Sequence, residues 1–412
     1  MRAGFHQNNQ PTYERKMPYS SFGNLPVELL QAIASCLPAR DLCIFRLACK
    51  RIYESTLYLY RCKFFGELQT DLSLRSLKRM ETIASDPELA PHVHFLTVKF
   101  IADFENTLGE GLVWNRHTSG YLKSNADVQR WGEVLRGLVN CASFHLIRDG
   151  WSDKDSCLDH FTSTDIVTLV LTSIINQNMT VREFLVDFIQ PGTGGANELD
   201  LRRLNVPDLR GPEFIATWAN LEVLLLNFTM SNIEILEWID PMVRHATSLQ
   251  ELTIQFDSGS AGGEILRHLS SLETPRLQKL SLQGIPRSAK VDGALLSKLL
   301  HKHRDSLRVL SIKVFTLEIR LFTLDSPGWK PILGMLSEFP RLESASFHAL
   351  REGQSLIQFP VASEIPEFDG ATQFTFRSRR QKDRTVNHIV HCWGPKTKAI
   401  IQRLAESMEL PH

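Results

Sequence analysis

A spaced triplet of apolar residues recurs down the chain, and it limits the fold more than any other feature. Leu221/Leu224/Leu226, Leu249/Leu252/Ile254, Leu277/Leu280/Leu282 and Leu307/Leu310/Ile312 each place apolar side chains three and five positions after a first one. Val93/Leu96/Val98, Cys141/Phe144/Leu146, Val181/Phe184/Val186, Leu201/Leu204/Val206 and Leu342/Ala345/Phe347 repeat the pattern more loosely. The central starts lie 28, 28, 30 and 35 residues apart, an interval that marks stacked repeats. Residues two apart share one face of a strand, so each triplet reads as a short strand with one buried side. Helical periodicity fills the intervals, over residues 127–139, 165–175, 233–245, 264–272, 294–303 and 331–339. A single strand-helix unit of this size has no core of its own, so each must bury its apolar face against the next.

Strand followed by helix at this period resembles the leucine-rich repeat, in which parallel strands line the inner wall of a horseshoe. The resemblance implies an irregular β/α solenoid over residues 91–359. Regular repeats of that family carry Asn or Cys eight positions after the first leucine, where this chain has Thr229, Asp257, Ile285, Phe315 and Leu350. Irregular turns and variable curvature are therefore expected. With the third and fifth positions in the core, the second, fourth and sixth point to the concave side. That face is predicted to present Thr97, Lys99, Glu251 and Ser346, and eight candidate target-binding residues: Thr253, Gln255, Lys279, Ser281, Gln283, Ser311, Lys313 and His348. Two lysines and a histidine among them favour an acidic or phosphorylated segment.

The most specific motif occupies residues 24–53, NLPVELLQAIASCLPARDLCIFRLACKRIY. Asn24 is suited to cap a helix, and Pro26 presets its first turn. Leu29, Ile33 and Leu37 fall at i, i+4 and i+8 with Leu30 beside them, and Pro38 closes the element. Asp41 is the expected cap of a second helix, with Leu42, Phe45, Ala48 and Cys49 on one face; a third from Lys50 carries Tyr53, Leu57 and Tyr60. Three short helices in about forty residues make too small a core to stand alone, so the module is expected to dock. Leu25-Pro26-x-Glu28-Leu29-Leu30, Ile33, Leu37, Asp41-Leu42 and Cys49-Lys50-Arg51-x-Tyr53 resemble the F-box motif in order and spacing, with Ile52 where that family commonly has an aromatic residue. The resemblance implies a partner, because F-boxes insert into a Skp-type adaptor that joins them to a cullin and a RING subunit in an SCF ubiquitin ligase. Its adaptor-facing positions fall on Leu25, Pro26, Leu29, Ile33, Leu37, Leu42 and Tyr53, with Lys50 at the rim.

Composition narrows the remaining classes. Lys plus Arg and Asp plus Glu each number 46, so no global field draws the chain to nucleic acid or anionic lipid. The apolar run at residues 166–175 has about half the length of a membrane span. Seven cysteines without a Cys-x-x-Cys pair indicate neither a disulfide framework nor a zinc site, and a reducing compartment, cytoplasmic and/or nuclear, is expected. The glycine-rich stretches at 191–195 and 261–263 lack the Gly-Lys-Ser/Thr of a phosphate loop and read as turns. His92/His94 and His301/His303 lack a completing acid or thiol, and Cys157 beside Asp159 and His160 lacks a strand-turn-helix setting. No cofactor, metal or catalytic site is expected.

The domain organisation read from these signals is a disordered lead-in at 1–20, an F-box at 21–65, a linker helix at 66–90, the solenoid at 91–359, and a hairpin and helix cap at 360–412. The cap has strands over 373–377 and 385–393, a helix over 396–408, and a basic run, Arg377, Arg379, Arg380, Lys382 and Arg384, near the hairpin tip. The fold class is α/β, with a three-helix F-box ahead of an irregular solenoid. The whole resembles fungal-type F-box receptors with degenerate leucine-rich repeats. That resemblance implies the substrate-recognition subunit of an SCF ligase, with an unknown protein target and no nucleic-acid or membrane partner. An F-box scaffold acting outside the ligase is the alternative, and a hydrolase or transferase with an unrecognised site the third.

Overall fold

The apolar triplets become the buried side of a row of neighbouring parallel strands. The computed structural model describes residues 25–101, 126–149, 162–188, 199, 204, 208–228, 234–256, 261–272, 276–284, 290–317, 328–353, 355–359, 373–381 and 384–408. The chain divides into two compact units, Met1–Gly66 and Glu67–His412.

Among the described residues, four helices form the first unit: α1 (Val27–Cys36), α2 (Ala39–Arg46), α3 (Lys50–Ser55) and α4 (Leu57–Phe65). Proline forces the residue before it out of helical geometry, so Leu37 is extended at ψ 140 and α1 ends ahead of Pro38. The second helix starts at Ala39, three residues earlier than a cap at Asp41 would place it. Asp41 thus lies in its first turn, where a carboxylate favours the helix N-terminus, rather than capping it. The single helix expected from Lys50 is two, broken at Thr56, whose hydroxyl donates to the Ile52 carbonyl at 2.7 Å. The module is therefore four-helical, not three-helical. Pro26, rather than Asn24, is the N-cap of α1, and no side chain among the described residues caps that end; the lead-in lies outside them.

In the second unit, β1 (Glu67–Thr70), α5 (Leu74–Ala84), β2 (Phe95–Ile101), α6 (Ala126–Gly137), β3 (Ser143–Asp149), α7 (Ser163–Asn176), β4 (Glu183–Asp187), α8 (Pro212–Trp218), β5 (Val223–Asn227), α9 (Ile235–Arg244), β6 (Glu251–Phe256), α10 (Ala261–Ser271) and β7 (Lys279–Gly284) alternate. There follow β8 (Lys290–Val291), α11 (Gly293–Lys302), β9 (Val309–Lys313), β10 (Thr316–Leu317), α12 (Trp329–Ser337), β11 (Ser344–His348), β12 (Arg351–Glu352) and β13 (Ser355–Leu356). A hairpin of β14 (Gln373–Gln381) and β15 (Arg384–Trp393) and a last helix, α13 (Thr397–Ser407), complete it. Among the described residues, the main sheet has eleven strands in the order β1-β2-β3-β4-β5-β6-β7-β9-β11-β15-β14, and β13-β12-β10-β8 make a small second one. Pairing is parallel from β1 through β11; β15 joins β11 antiparallel and β14 joins β15.

Register explains why the triplets matter. Leu96, Phe144, Phe184, Leu224, Leu252, Leu280, Leu310 and Ala345 form one continuous row across the strands. Val98, Leu146, Val186, Leu226, Ile254, Leu282, Ile312 and Phe347 form the next, and every member of both rows is at most 2% exposed. A slip of one residue would turn a whole strand's apolar set outward, so burial itself holds the register. The helices pack side by side over these rows. Arg130 of α6 pairs with Glu81 of α5 at 2.6 Å, the Trp218 indole of α8 donates to the Met242 carbonyl of α9, and His268 of α10 meets Asp240 of α9. Gly137 lets α5 and α6 approach, since a Cβ there would stand 2.9 Å from the Ala84 Cβ. No helix among the described residues is long and apolar enough to cross a membrane.

Several sequence expectations change. Residues 66–90 are more than a linker helix, because β1 precedes α5 and pairs with β2. The terminal hairpin extends the main sheet through β15, and α13 packs on α12, where the Ser337 hydroxyl donates to Gln402 at 2.8 Å. Residues 261–263 are the first turn of α10 rather than a loop. The 191–195 stretch, the Cys157 cluster and the side chains of the basic run lie outside the described residues, as does most of the 201–206 triplet.

His303, which with His301 lacks the acid or thiol a metal site needs, closes a joint between α11 and β7. It is 1% exposed, and its Nδ1 accepts the Leu277 N–H at 3.3 Å. Burial, and secondarily the Lys302 charge, push the imidazole from its ordinary 6.5 down to about 4. The folded state favours the neutral ring, so this contribution is complete above pH 6.5 and is lost as pH falls toward 4. The loss at pH 4.5 should be roughly 2 to 3 kcal/mol. Urea midpoints at pH 7 and 4.5 should separate more in the wild type than in His303→Leu; equal separations would contradict this role.

Candidate functional site

The small helical unit has more apolar side chains than its interior can take. Leu30, Ala34, Leu42 and Ile52 fill that interior at no more than 1% exposure, whereas Val27, Leu29, Ile44, Leu47, Tyr53 and Tyr58 stand 40–84% exposed. Of the predicted adaptor-facing residues, Pro26, Leu29, Lys50 and Tyr53 are exposed and Leu25, Ile33 and Leu37 are half-buried. Lys50 pairs with Glu54 at 3.7 Å on an open surface. Leu42 is corrected to a core residue. It and Arg46, one turn apart on α2, both face inward, and this turns Ile44 and Leu47 out. Ile52, which departs from the aromatic residue common in F-boxes, is the side chain α3 buries.

Sequence reasoning missed Val27, Ile44, Leu47 and Tyr58. It also missed Arg46, whose guanidinium carbon lies 4.3 Å from the Tyr53 ring centre and 3.7 Å from that of Tyr60. Arg46, Tyr53 and Tyr60 sit on three different helices, so no spacing within one helix links them.

On the second unit, the sheet face turned away from the helices gathers the predicted target-binding residues. Thr253, Ser281, Ser311 and Ser346 lie in one row across β6, β7, β9 and β11, and Gln255, Gln283, Lys313 and His348 in the next. Adjacent strands stand about 4.8 Å apart, so seven of the eight candidates, with Ser346, form one polar patch, and Lys279 lies in the row before them beside Glu251. Two of them behave differently than expected. Lys279 donates to Glu251 on the neighbouring strand at 2.8 Å, which neutralises one of the two lysines; Lys313 makes no ion pair among the described residues. Gln255 is 3% exposed, and its Oε1 lacks a hydrogen-bond partner, so it lies beneath the surface rather than on it.

The same face carries groups outside the predicted set. His391 and Trp393 of β15 pair opposite Ser346 and Ser344, with their rings 4.9 Å apart. Farther along, His145 of β3 is partly buried, and burial lowers its pKa against the opposing charges of Asp187 and Glu67. Half-buried Leu185 and Leu225 separate the two regions. The hairpin residues escaped the sequence reading because β15 was expected to cap the sheet rather than join it.

Among known proteins, a family model described as F-box-like matches residues 22–66, the segment that holds the four helices. No curated protein matches the chain. Six of the eight large apolar residues exposed among the described residues lie in the matched segment, and residues 22–66 are an F-box-like domain joined to a mixed α/β unit built on a large, mainly parallel sheet.

Proposed function

We propose that the chain is the substrate-recognition subunit of an SCF-type ubiquitin ligase. Its F-box-like domain holds a Skp-type adaptor, and through that a cullin and RING subunit; its sheet unit, a degenerate leucine-rich-repeat solenoid, holds a target protein. The observation that carries this reading is where apolar surface is left exposed. Six of the eight large apolar residues exposed among the described residues, Val27, Leu29, Ile44, Leu47, Tyr53 and Tyr58, fall in the short F-box-like domain. Such clustering marks a protein-binding surface, because scattered exposed leucines are ordinary and clustered ones are not. The chain itself is noncatalytic in this reading, acts in the cytoplasm or nucleus, and contributes proximity between a target and a charged conjugating enzyme.

Affinity purification of the tagged full chain with the proteasome blocked tests the proposal. Adaptor and cullin should both copurify. Adaptor without cullin would replace the ligase reading with that of a scaffold, and neither would remove both. The target surface makes a separate prediction. Because Lys279 is already paired, Lys313 carries the cationic contribution, so Lys313→Glu should cut capture of acidic or phosphorylated targets by about tenfold, the loss of one charge-assisted hydrogen bond. Lys298→Glu, on an exposed helix position, should leave capture unchanged. Equal capture by both variants, measured by quantitative mass spectrometry, would remove the sheet face from target recognition.

A further inference from the structure

We infer that Arg46 is a preset carboxylate receptor at the edge of the F-box-like surface, taking an acidic side chain of the adaptor between Tyr53 and Tyr60. The inference rests on the adaptor-binding reading above and names the chemistry that would make that contact specific. Arg46 is only 6% exposed, and its Nε is sealed from water without a hydrogen-bond partner. Burying a charge without a counterion is costly, and cations nearby in the same unit avoid that cost. Arg51 donates to the Leu25 carbonyl at 2.9 Å, Lys63 donates to the Leu37 carbonyl, and Lys50 pairs with Glu54. Arg46 makes no hydrogen bond or ion pair among the described residues. Its last-turn position on α2 and the two ring faces offset part of the cost.

Aromatic ring faces attract a guanidinium without accepting its N–H hydrogen bonds, so the Tyr53 and Tyr60 rings leave the terminal Arg46 Nη donors unused. That arrangement suits a carboxylate, which accepts two such donors side by side. The clamp is also held in place. Tyr60 rests 4.5 Å from the Phe64 ring and 6.3 Å from that of Phe65, while three different helices supply Arg46, Tyr53 and Tyr60. Tyr53 is 47% exposed and belongs to the predicted adaptor-facing set, so the receptor opens beside the apolar surface rather than away from it. Charge argues for the same occupant: residues 25–66 carry six Lys or Arg against only Glu28, Asp41 and Glu54. A partner that covers this domain meets a basic surface and is favoured when acidic.

The test is the affinity of the full chain for a purified Skp-type adaptor at about 0.1 M and about 1 M NaCl, over which the screening length falls from about 10 to about 3 Å. Arg46→Met keeps the bulk and packing of the side chain without its charge. It should bind at least tenfold more weakly at low salt and show a much smaller salt dependence than the wild type. Arg46→Lys, which keeps the charge but not the planar fork, should fall between them. Thermal melts run alongside separate this from unfolding, because a purely structural role lowers affinity by the same factor at both salt concentrations. Wild-type affinity indifferent to salt would overturn the inference without any variant. So would Arg46→Met matching the wild type, or losing the same factor at both salts. Those outcomes leave adaptor binding standing, whereas a wild-type chain that binds no adaptor would overturn the proposed function together with this inference.

Discussion

Changing Leu29 and Leu47 together to Asp is expected to abolish adaptor binding while leaving the chain's melting transition in place. Leu29 is 50% and Leu47 84% exposed in the free chain, so neither holds the helices together. An interface that covers them removes that apolar area from water, worth about 1.5 to 3 kcal/mol for each fully buried leucine. Losing both should weaken binding by roughly a hundredfold or more, and burying two carboxylates instead deepens the loss. Leu42 supplies the contrast. It is 0% exposed, so Leu42→Ala should cost about 2 to 5 kcal/mol of stability and melt a domain this small. Binding lost with the fold intact for the first pair, and binding lost with the fold for Leu42, would separate the docking surface from the core. Full adaptor affinity in the Leu29→Asp, Leu47→Asp chain, measured by calorimetry, would refute the surface.

The parts of the fold legible in the sequence are those where burial of one face leaves little choice. Leu224/Leu226, Leu252/Ile254, Leu280/Leu282 and Leu310/Ile312 all lie on strands because two residues of equal spacing must reach the same interior. Helices over α6, α9, α10, α11, α12 and α13 were legible for a similar reason, since each buries one apolar stripe, whereas α7 is buried on nearly every side and was legible as an apolar run. The strand β1 was not, because four residues with only Leu68 and Thr70 buried carry no period to recognise. Helix α8 was missed because its seven residues span barely two turns, and what anchors it is the packing of Phe214 and Trp218.

The candidate site shows a different limit. Motif matching located the F-box-like segment but treated Leu42 as a contact residue, because spacing along a helix says which side chains share a face, not whether that face meets a partner or a neighbouring helix. Arg46 escaped for the complementary reason: its environment comes from Tyr53 and Tyr60 on other helices, which periodicity within α2 cannot reveal. The pairing of Lys279 with Glu251 likewise exists only across strands. Contacts between elements, rather than within them, set the charge of the sheet face.

Trp218→Ala is expected to be the most destabilising single change in the sheet unit. The side chain is fully buried, with its ring centre 5.2 Å from Phe184 on β4 and 4.9 Å from Phe214 on its own helix. Removing so large a ring from a packed interior costs about 3 to 5 kcal/mol in lost burial and cavity. A second cost is separate from packing. The indole N–H donates at 2.8 Å to the carbonyl of Met242, in the last turn of α9, where carbonyls have no partner within their own helix. An unsatisfied buried carbonyl adds about 1 to 3 kcal/mol. Trp218→Phe keeps an aromatic ring and loses chiefly that bond, so it should show the smaller cost alone. Ile215, on the same helix and 37% exposed, is the control, and Ile215→Ala should change stability by less than about 1 kcal/mol. Urea unfolding should therefore place Trp218→Ala as the least stable variant, Trp218→Phe between, and Ile215→Ala as the most stable. The strands lying over Trp218 carry Leu185 and Leu225 on their other face, so the same loss should loosen the proposed target surface while adaptor binding through the separate F-box-like unit persists. A Trp218→Ala chain as stable as Ile215→Ala would mean that α8 and α9 are not held to the sheet by this ring.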